Sequence, residues 1–83
     1  MEAKKLKIGI ASILDAWNAE VDIVDYKLCK DGSLEIVYCM SETSTVQIAP
    51  RWIADWFGGR FVEWAWDAKG ALDGMVIEKE VAE

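Results

Sequence analysis

Histidine is absent from this 83-residue chain, and proline and cysteine are scarce, with one and two residues respectively. Without histidine, the chain lacks the usual general base near neutral pH and the commonest metal ligand of proteins. The sequence also contains no C-x-x-C pair, no glycine-rich phosphate loop and no H-E-x-x-H motif. These absences predict a protein that is not an enzyme and that carries neither a metal nor another cofactor.

No apolar run approaches the ~20 residues that a membrane-spanning helix needs. Lys4, Lys5 and Lys7 precede a short apolar run, as in a signal peptide, but Asp15 ends that run. The two cysteines are too few for a disulfide framework. We therefore expect a reduced, cytoplasmic protein that does not enter a membrane.

Positive charge is also scarce, because 9 Lys and Arg residues face 15 Asp and Glu residues, which gives a net charge of −6. Direct binding to nucleic acid is disfavoured, since Lys and Arg are needed to displace counterions from phosphates. Apolar residues are plentiful at 53%, more than a domain of this size easily buries. Two explanations stay open: an aromatic core, or an apolar surface that a partner covers.

Four of the five tryptophans lie in one stretch, P-R-W-I-A-D-W-F-G-G-R-F-V-E-W-A-W. Trp52 and Trp56 are four residues apart, which places both on one face of a helix. Trp64 and Trp66 are two apart, which places both on one face of a strand. The proline suits a first helical turn, and the Gly-Gly pair suits a helix end. This stretch predicts a helix over residues 51–57, a break and a strand, with the two indole pairs able to meet across the break.

The segment V-D-I-V-D-Y-K-L-C-K-D-G-S-L-E-I-V-Y-C-M predicts a β-hairpin with the three-residue loop Lys30-Asp31-Gly32. This loop places apolar residues on one face and polar residues on the other, which a two-residue loop does not. The predicted pairs are Leu28–Leu34, Lys27–Glu35, Tyr26–Ile36, Val24–Tyr38 and Ile23–Cys39.

A second hairpin is predicted around the loop Ala68-Lys69-Gly70 by the same argument. It would place the indole of Trp64 over Gly74, where an aromatic ring covers exposed strand backbone. The predicted pairs are Trp66–Leu72, Ala65–Asp73, Trp64–Gly74, Glu63–Met75, Val62–Val76 and Phe61–Ile77.

The N-terminal segment fits two structures. A helix over residues 3–19 matches the spacing of the apolar residues Leu6, Ile10, Ile13, Leu14 and Trp17. The alternative is a strand over Lys5–Ile10, with Ser12 capping a short helix. The helix is preferred here, and the strand stays open.

Together these elements predict a single α+β domain over residues 1–83. It would contain an antiparallel sheet of about four to five strands, formed by the two hairpins and the short strand T-V-Q-I-A. An N-terminal helix and a short tryptophan-bearing helix would pack on this sheet, and residues 79–83 would form a frayed tail. Helix followed by hairpin occurs twice, but sliding one half on the other matches little beyond Gly32 and Gly70.

Carboxylates and tryptophans are the candidate partner-binding residues. Rows of carboxylates can imitate phosphates and pair with a basic surface, and large aromatic residues can anchor such a contact. Trp17 and Trp64 are expected in the core. The candidates are Glu63, Asp67, Asp73, Trp52, Trp56 and Phe57, with a second acidic cluster of Asp15, Glu20, Asp22 and Asp25. The alternative is that the acids form an ordinary solvated face and the tryptophans are core.

From these features we expect a non-catalytic protein-binding domain. The specific hypothesis is an acidic inhibitor of nucleic-acid-handling machinery, of the kind found among anti-CRISPR and anti-restriction proteins, which occupies a basic surface on a nucleic-acid-binding protein. It rests on size, acidity and missing catalytic groups. The alternative is a homo-oligomeric assembly subunit, such as a homodimer that pairs an edge strand, Thr45–Ala49 or Met75–Lys79, across a two-fold axis.

Overall fold

The structure, a computed structural model, describes residues 2–81, within which two helices and six strands follow one another in the order βαβββαββ. The α+β class is therefore confirmed. The elements are β1 (Glu2–Gly9), α1 (Ile10–Asn18), β2 (Asp22–Leu28), β3 (Leu34–Cys39), β4 (Thr43–Ile48), α2 (Pro50–Trp56), β5 (Arg60–Trp66) and β6 (Leu72–Val81).

The six strands form two antiparallel sheets of three strands each, in place of the single sheet of four to five strands. Sheet 1 has the order β1-β6-β5, and sheet 2 has the order β2-β3-β4. Each hairpin thus takes its third strand from the other half of the chain. Of the two expected edge strands, Thr45–Ala49 overlaps the edge strand β4, whereas Met75–Lys79 lies in β6, at the centre of sheet 1.

The N-terminal segment is a strand, so the preferred long helix is wrong. The alternative is correct in placing a strand before a short helix, but not in its cap. β1 pairs with β6 along its whole length, and Leu6 and Ile8 lie opposite buried residues of β6. Helix α1 begins only after Gly9, whose φ of −67° and ψ of 153° are extended. Glycine disfavours a helix interior, and here it separates strand from helix. Ser12 lies inside α1 and does not cap it.

Both hairpin loops have three residues, as the sequence predicts. The N–H of Cys29 donates to the carbonyl of Ser33 at 2.9 Å, and the N–H of Asp67 donates to that of Ala71 at 2.9 Å. The third residue of each loop is a glycine with φ of +89° or +82°. Next to the loops, the predicted pairs Leu28–Leu34, Lys27–Glu35, Tyr26–Ile36 and Trp66–Leu72 are confirmed.

A β-bulge interrupts each hairpin at a valine. The pairs that differ from the prediction lie beyond Val24 in the first hairpin, and between the irregularities at Asp73 and Val62 in the second. Val24 and Val62 are extra residues in β2 and β5, and Asp73 is an extra residue in β6. The two irregularities of the second hairpin cancel, so Phe61–Ile77 is paired as predicted. The observed pairs that replace wrong predictions are Ile23–Tyr38, Asp22–Cys39, Ala65–Gly74, Trp64–Met75 and Glu63–Val76.

Both helices and both sheets contribute to one hydrophobic core. Trp17 and Trp64 pack against it, as expected, and the ring of Trp17 meets that of Tyr38 edge-on at 4.8 Å. The buried apolar residues are Ile13, Leu34, Ile36, Ile48, Ile53, Ala54, Met75 and Ile77.

The chain is a duplicated βαββ unit, β1-α1-β2-β3 followed by β4-α2-β5-β6. The first strand of each unit pairs with the last strand of the other, β1 with β6 and β4 with β3. Equivalent positions are Ile8/Ile48, Gly9/Ala49, Ile13/Ile53 and Trp17/Phe57 in the first strand and helix, and Ile23/Phe61, Val24/Val62, Tyr26/Trp64, Leu28/Trp66, Gly32/Gly70 and Leu34/Leu72 in the hairpin. The offset drops from 40 to 38 because α1, with nine residues, is two longer than α2, with seven. A single sliding comparison therefore misses the repeat.

The end of β6 is paired rather than frayed over the residues that the structure describes. Lys79, Glu80 and Val81 lie opposite Lys4, Ala3 and Glu2 of β1. Residues 82–83 of the predicted tail lie outside the described residues. Within residues 2–81, neither helix has the length and hydrophobicity of a membrane span.

Candidate binding surface on helix α2

Helix α2 is short but well fixed at both ends. Pro50 occupies its first turn, as predicted, and the extended residue Ala49 precedes it. At the other end, the N–H of Gly58, a residue with φ of +74°, donates to the carbonyl of Asp55 at 3.0 Å. The Nζ of Lys79 donates to the carbonyl of Phe57 at 3.2 Å, which places a cation at the negative end of the helix. These contacts hold the side chains of α2 on a rigid element.

The two tryptophans of α2 lie outside the core. Ile53 and Ala54 are fully buried, whereas Trp52 and Trp56 are 55% and 41% exposed. Phe57, the third predicted aromatic anchor, instead packs against the core. The four-residue spacing therefore does place both indoles on one face, and that face is open.

The two tryptophan pairs, which the spacing allows to meet, form no close ring pair with each other in the part of the chain that the structure describes. Among residues 2–81, the close ring pairs are Trp17 with Tyr38 and Phe61 with Trp64. Trp52 instead lies beneath the guanidinium of Arg51, whose Cζ is 5.6 Å from the ring centroid. We call the exposed surface formed by Arg51, Trp52, Asp55 and Trp56 the α2 patch.

The duplicated unit contains its own comparison for these tryptophans. Forty positions before Trp52 and Trp56, helix α1 has Ser12 and Ala16, both exposed. The buried isoleucine of α2 and the buried Ile13 of α1 occupy equivalent positions. Helix α1 thus packs on the core without an aromatic residue at either exposed position. The fold does not require indoles there.

The three carboxylates predicted on the second hairpin differ in their surroundings. Asp73 forms an ion pair with Lys7 of β1. Asp67 accepts hydrogen bonds from the N–H groups of Lys69 and Ala71 at 2.8 and 3.0 Å, so it stabilises its own loop. Glu63 is exposed and has no ion-pair partner among the described residues. The structure therefore does not present the three as one row of free carboxylates.

The second acidic cluster is more open to a partner. Asp15, Glu20, Asp22 and Asp25 are all exposed, and none of the ion pairs within residues 2–81 includes them. Residues 8–26 contain no Lys or Arg. Local hydrogen bonds do hold this segment. The N–H of Glu20 donates to Asn18 Oδ1 at 3.0 Å, and the N–H of Tyr26 donates to Asp25 Oδ1 at 2.8 Å. These uncompensated carboxylates therefore add negative potential to this part of the chain.

Besides the α2 tryptophans, four large apolar side chains are exposed among the described residues: Leu6, Val24, Met40 and Trp66. Met40 is 72% exposed at the end of β3, beside Glu20 and Asp22 at a shallow groove. Its strand pattern gives no sign of this exposure. Trp66 is 54% exposed and borders a cleft of about 480 Å³ with Tyr26 and other residues of both hairpins.

The groups exposed at these surfaces are suited to contacts with a partner. Within residues 2–81, no group of three or more Cys, Asp and Glu side chains is arranged to hold a metal ion. Indoles, one guanidinium and free carboxylates are the groups that the surface offers to a partner. Comparison with protein-family models finds no match, and comparisons with curated proteins and with solved structures find no significant relative.

Proposed function

We propose that this chain is a non-catalytic protein-binding domain whose partner docks on the α2 patch. One observation carries the proposal: Trp52 and Trp56 are exposed at helix positions where the equivalent helix has Ser12 and Ala16. Tryptophan is among the residues that contribute most to binding at protein interfaces. Two indoles that the fold does not need, on a fixed helix, supply such an anchor.

The partner is proposed to have a basic surface. The chain has a net charge of −6, and the cluster of Asp15, Glu20, Asp22 and Asp25 has no internal ion-pair partner in the described part of the chain. A negative field attracts a basic partner and raises its association rate. Proteins that handle nucleic acids have such surfaces, and a domain that occupies one would inhibit them by competition. This second acidic cluster, rather than Glu63, Asp67 and Asp73, supports that form of the proposal.

A capture experiment tests the aromatic part of the proposal. The immobilised wild-type protein, the double variant Trp52→Ser/Trp56→Ala and the single variant Trp66→Ser are exposed to the same lysate. Trp66 is as exposed as Trp52, so its variant controls for general loss of apolar surface. We expect a protein that the wild type and the Trp66 variant retain and that the double variant loses. Equal capture by all three proteins would contradict the proposal.

The charge part is tested on the same captured protein. The variant Glu20→Lys/Asp22→Lys/Asp25→Lys reverses three exposed carboxylates, and its binding should weaken along with the salt dependence. The wild type should also release nucleic acid from its target in a competition titration. If binding changes with neither salt nor charge reversal, the proposed aromatic contact stands, but the proposed basic partner and the competitive mechanism are contradicted.

A further inference from the structure

We propose that the open edge of β4 is a self-association site, where the β4 strand of a second copy pairs antiparallel across a two-fold axis. Such pairing would join two copies of sheet 2 into one six-stranded sheet. The surface and the partner both differ from those of the α2 patch, so this inference does not depend on the proposed function.

Three of the four open strand edges carry a feature that discourages pairing. The edge strands are β1 and β5 in sheet 1, and β2 and β4 in sheet 2. β2 and β5 have bulges at Val24 and Val62, which interrupt a regular edge. β1 is regular but carries Lys4, Lys5 and Lys7, and lysine on an edge opposes pairing.

β4 has none of these protections. It pairs with β3 over six consecutive residues without a bulge, and its sequence, T-S-T-V-Q-I, contains no charge and no proline. The backbone groups on its outer side are therefore a regular, unpaired row of donors and acceptors. Thr45 and Gln47 are exposed on the solvent face, while Ile48 is buried on the other. A strand that adds to this edge can therefore pair in a regular register, and the pairing desolvates no charged side chain of β4.

The duplication shows that the difference between β1 and β4 is not required by the fold. Both strands are the first of their unit. Both also pair apolar residues with buried residues of the neighbouring strand, Leu6 and Ile8 in β1 and Val46 and Ile48 in β4. Their polar positions differ in charge. The equivalent polar pairs are Lys4/Ser44, Lys5/Thr45 and Lys7/Gln47.

The neutrality of β4 favours a second copy over a foreign strand. Pairing across a two-fold axis places a strand beside its own copy. Any charged residue on the strand would then lie close to a residue of the same charge on the other copy. An edge that recruits a strand from a basic partner would gain from carboxylates, and β4 has none although the chain has a net charge of −6. Thr45 and Gln47 can also hydrogen-bond to their counterparts across the axis. A neutral strand is the place where two such acidic chains repel each other least.

The mass of the full chain in solution tests the inference. Sedimentation equilibrium should show the mass rising with concentration from 9.3 kDa towards twice that value. The association should strengthen with added salt, because salt screens the repulsion between two acidic chains. This is the opposite of the salt effect expected for a basic partner at the α2 patch. A mass of 9.3 kDa at every concentration up to about 1 mM, a range that includes weak contacts, would overturn the proposal.

Variants then locate the contact. Thr45→Lys/Gln47→Lys gives β4 the residues of β1 and should lower the association constant about tenfold or more, since like charges then face each other. The matched control Val24→Lys adds an exposed lysine to a bulged edge and should leave association unchanged. Dimerisation of the β4 variant at the wild-type level would overturn the proposal. So would a dimer that Trp52→Ser/Trp56→Ala abolishes and the β4 variant keeps, since its contact would then lie on α2.

A measurement on the wild type alone guards against a variant that misfolds. In hydrogen exchange, the β4 amides should become more protected as protein concentration rises, while the amides of β1 should not. Protection of β4 that is independent of concentration would contradict edge pairing even where the mass shows a dimer.

Discussion

The indole Nε1 of Trp64 donates a hydrogen bond of 3.1 Å to the carbonyl oxygen of Gly32, which ties β5 to the loop of the first hairpin. In the other unit Tyr26 occupies the position of Trp64, and β2 approaches the loop of the second hairpin. There a cleft of about 480 Å³ lies between Tyr26, Trp66 and Leu72. Each hairpin thus approaches the loop of the other. The indole of Trp64 is hydrogen-bonded across one of these approaches, and an open cleft lies at the other.

Removal of the Trp64 hydrogen bond should destabilise the protein. The variant Trp64→Phe keeps an aromatic ring but loses the indole N–H, so the Gly32 carbonyl loses its donor. We expect a loss of about 1–2 kcal/mol in the free energy of unfolding, measured by denaturant titration. Trp52→Phe, at an exposed indole with no such bond, is the control and should change stability by less than about 0.5 kcal/mol. Equal effects of the two changes would show that the bond contributes nothing.

Filling the open cleft should have the opposite effect. Tyr26→Trp gives the first unit the residue that the second unit already has at the equivalent position. The larger ring would bury more apolar area against Trp66 and Leu72, and we expect a gain of about 0.5–1 kcal/mol in the free energy of unfolding. A loss of stability in thermal or denaturant unfolding would show that the cleft cannot accept the second ring.

Gly74 and Gly9 face each other across the β1–β6 pair but should respond very differently to alanine. A Cβ on Gly74 would overlap the carbonyl oxygen of Ile8 and lie 3.1 Å from Cα of Gly9. A Cβ on Gly9 would meet nothing within 4 Å, and the equivalent residue in the second unit is Ala49.

We therefore expect Gly74→Ala to lower the free energy of unfolding by about 2 kcal/mol or more, because β1 must move away from β6. Gly9→Ala should change it by less than about 1 kcal/mol. Chemical denaturation of both variants checks this pair, and a tolerated Gly74→Ala would show that the two strands can separate at low cost.

The loop of the first hairpin should become less stable in acid. The hydroxyl and then the N–H of Ser33 donate to Asp31 Oδ1 at 2.6 and 3.0 Å, and these bonds lower the pKa of Asp31 from its ordinary value of 3.8. Because the pKa is lower in the folded state, the stabilisation is complete above the ordinary value and is lost as pH falls through the folded one.

The variant Asp31→Asn removes this titration. The difference in unfolding free energy between wild type and variant should be constant near neutral pH and should shrink as pH falls below about 4. Denaturation curves at a series of pH values measure that difference. A difference that does not change with pH would show that Ser33 does not favour the ionised carboxylate.

The sequence predicts the local parts of this fold and misses the parts that depend on distant contacts. The loop glycines and the alternation beside them are enough to specify Leu28–Leu34 and Trp66–Leu72. Nothing near residue 7 indicates that Lys7 lies beside Asp73, 66 positions away. The paired residues of β1 and β6 are likewise 65 to 79 positions apart, so the short apolar pattern at the N-terminus fits a helix equally well when read alone.

The candidate surface shows the same limit. The spacing of Trp52 and Trp56 correctly places them on one helix face, but a core face and a binding face have the same spacing. The bulges at Val24 and Val62 also cannot be found from alternation, because each adds a residue without changing the residue types around it. The repeat becomes visible only when the structure shows that the two helices differ in length.

Whether the α2 tryptophans serve binding rather than folding can be measured without knowledge of the partner. The free energy of unfolding of Trp52→Ser/Trp56→Ala, which gives α2 the residues of α1, is compared with that of the wild type. We expect a difference below about 1 kcal/mol, since both indoles are exposed and alanine favours the helix. A loss of about 3 kcal/mol or more, the cost of removing core aromatics, would contradict it and make both tryptophans part of the core.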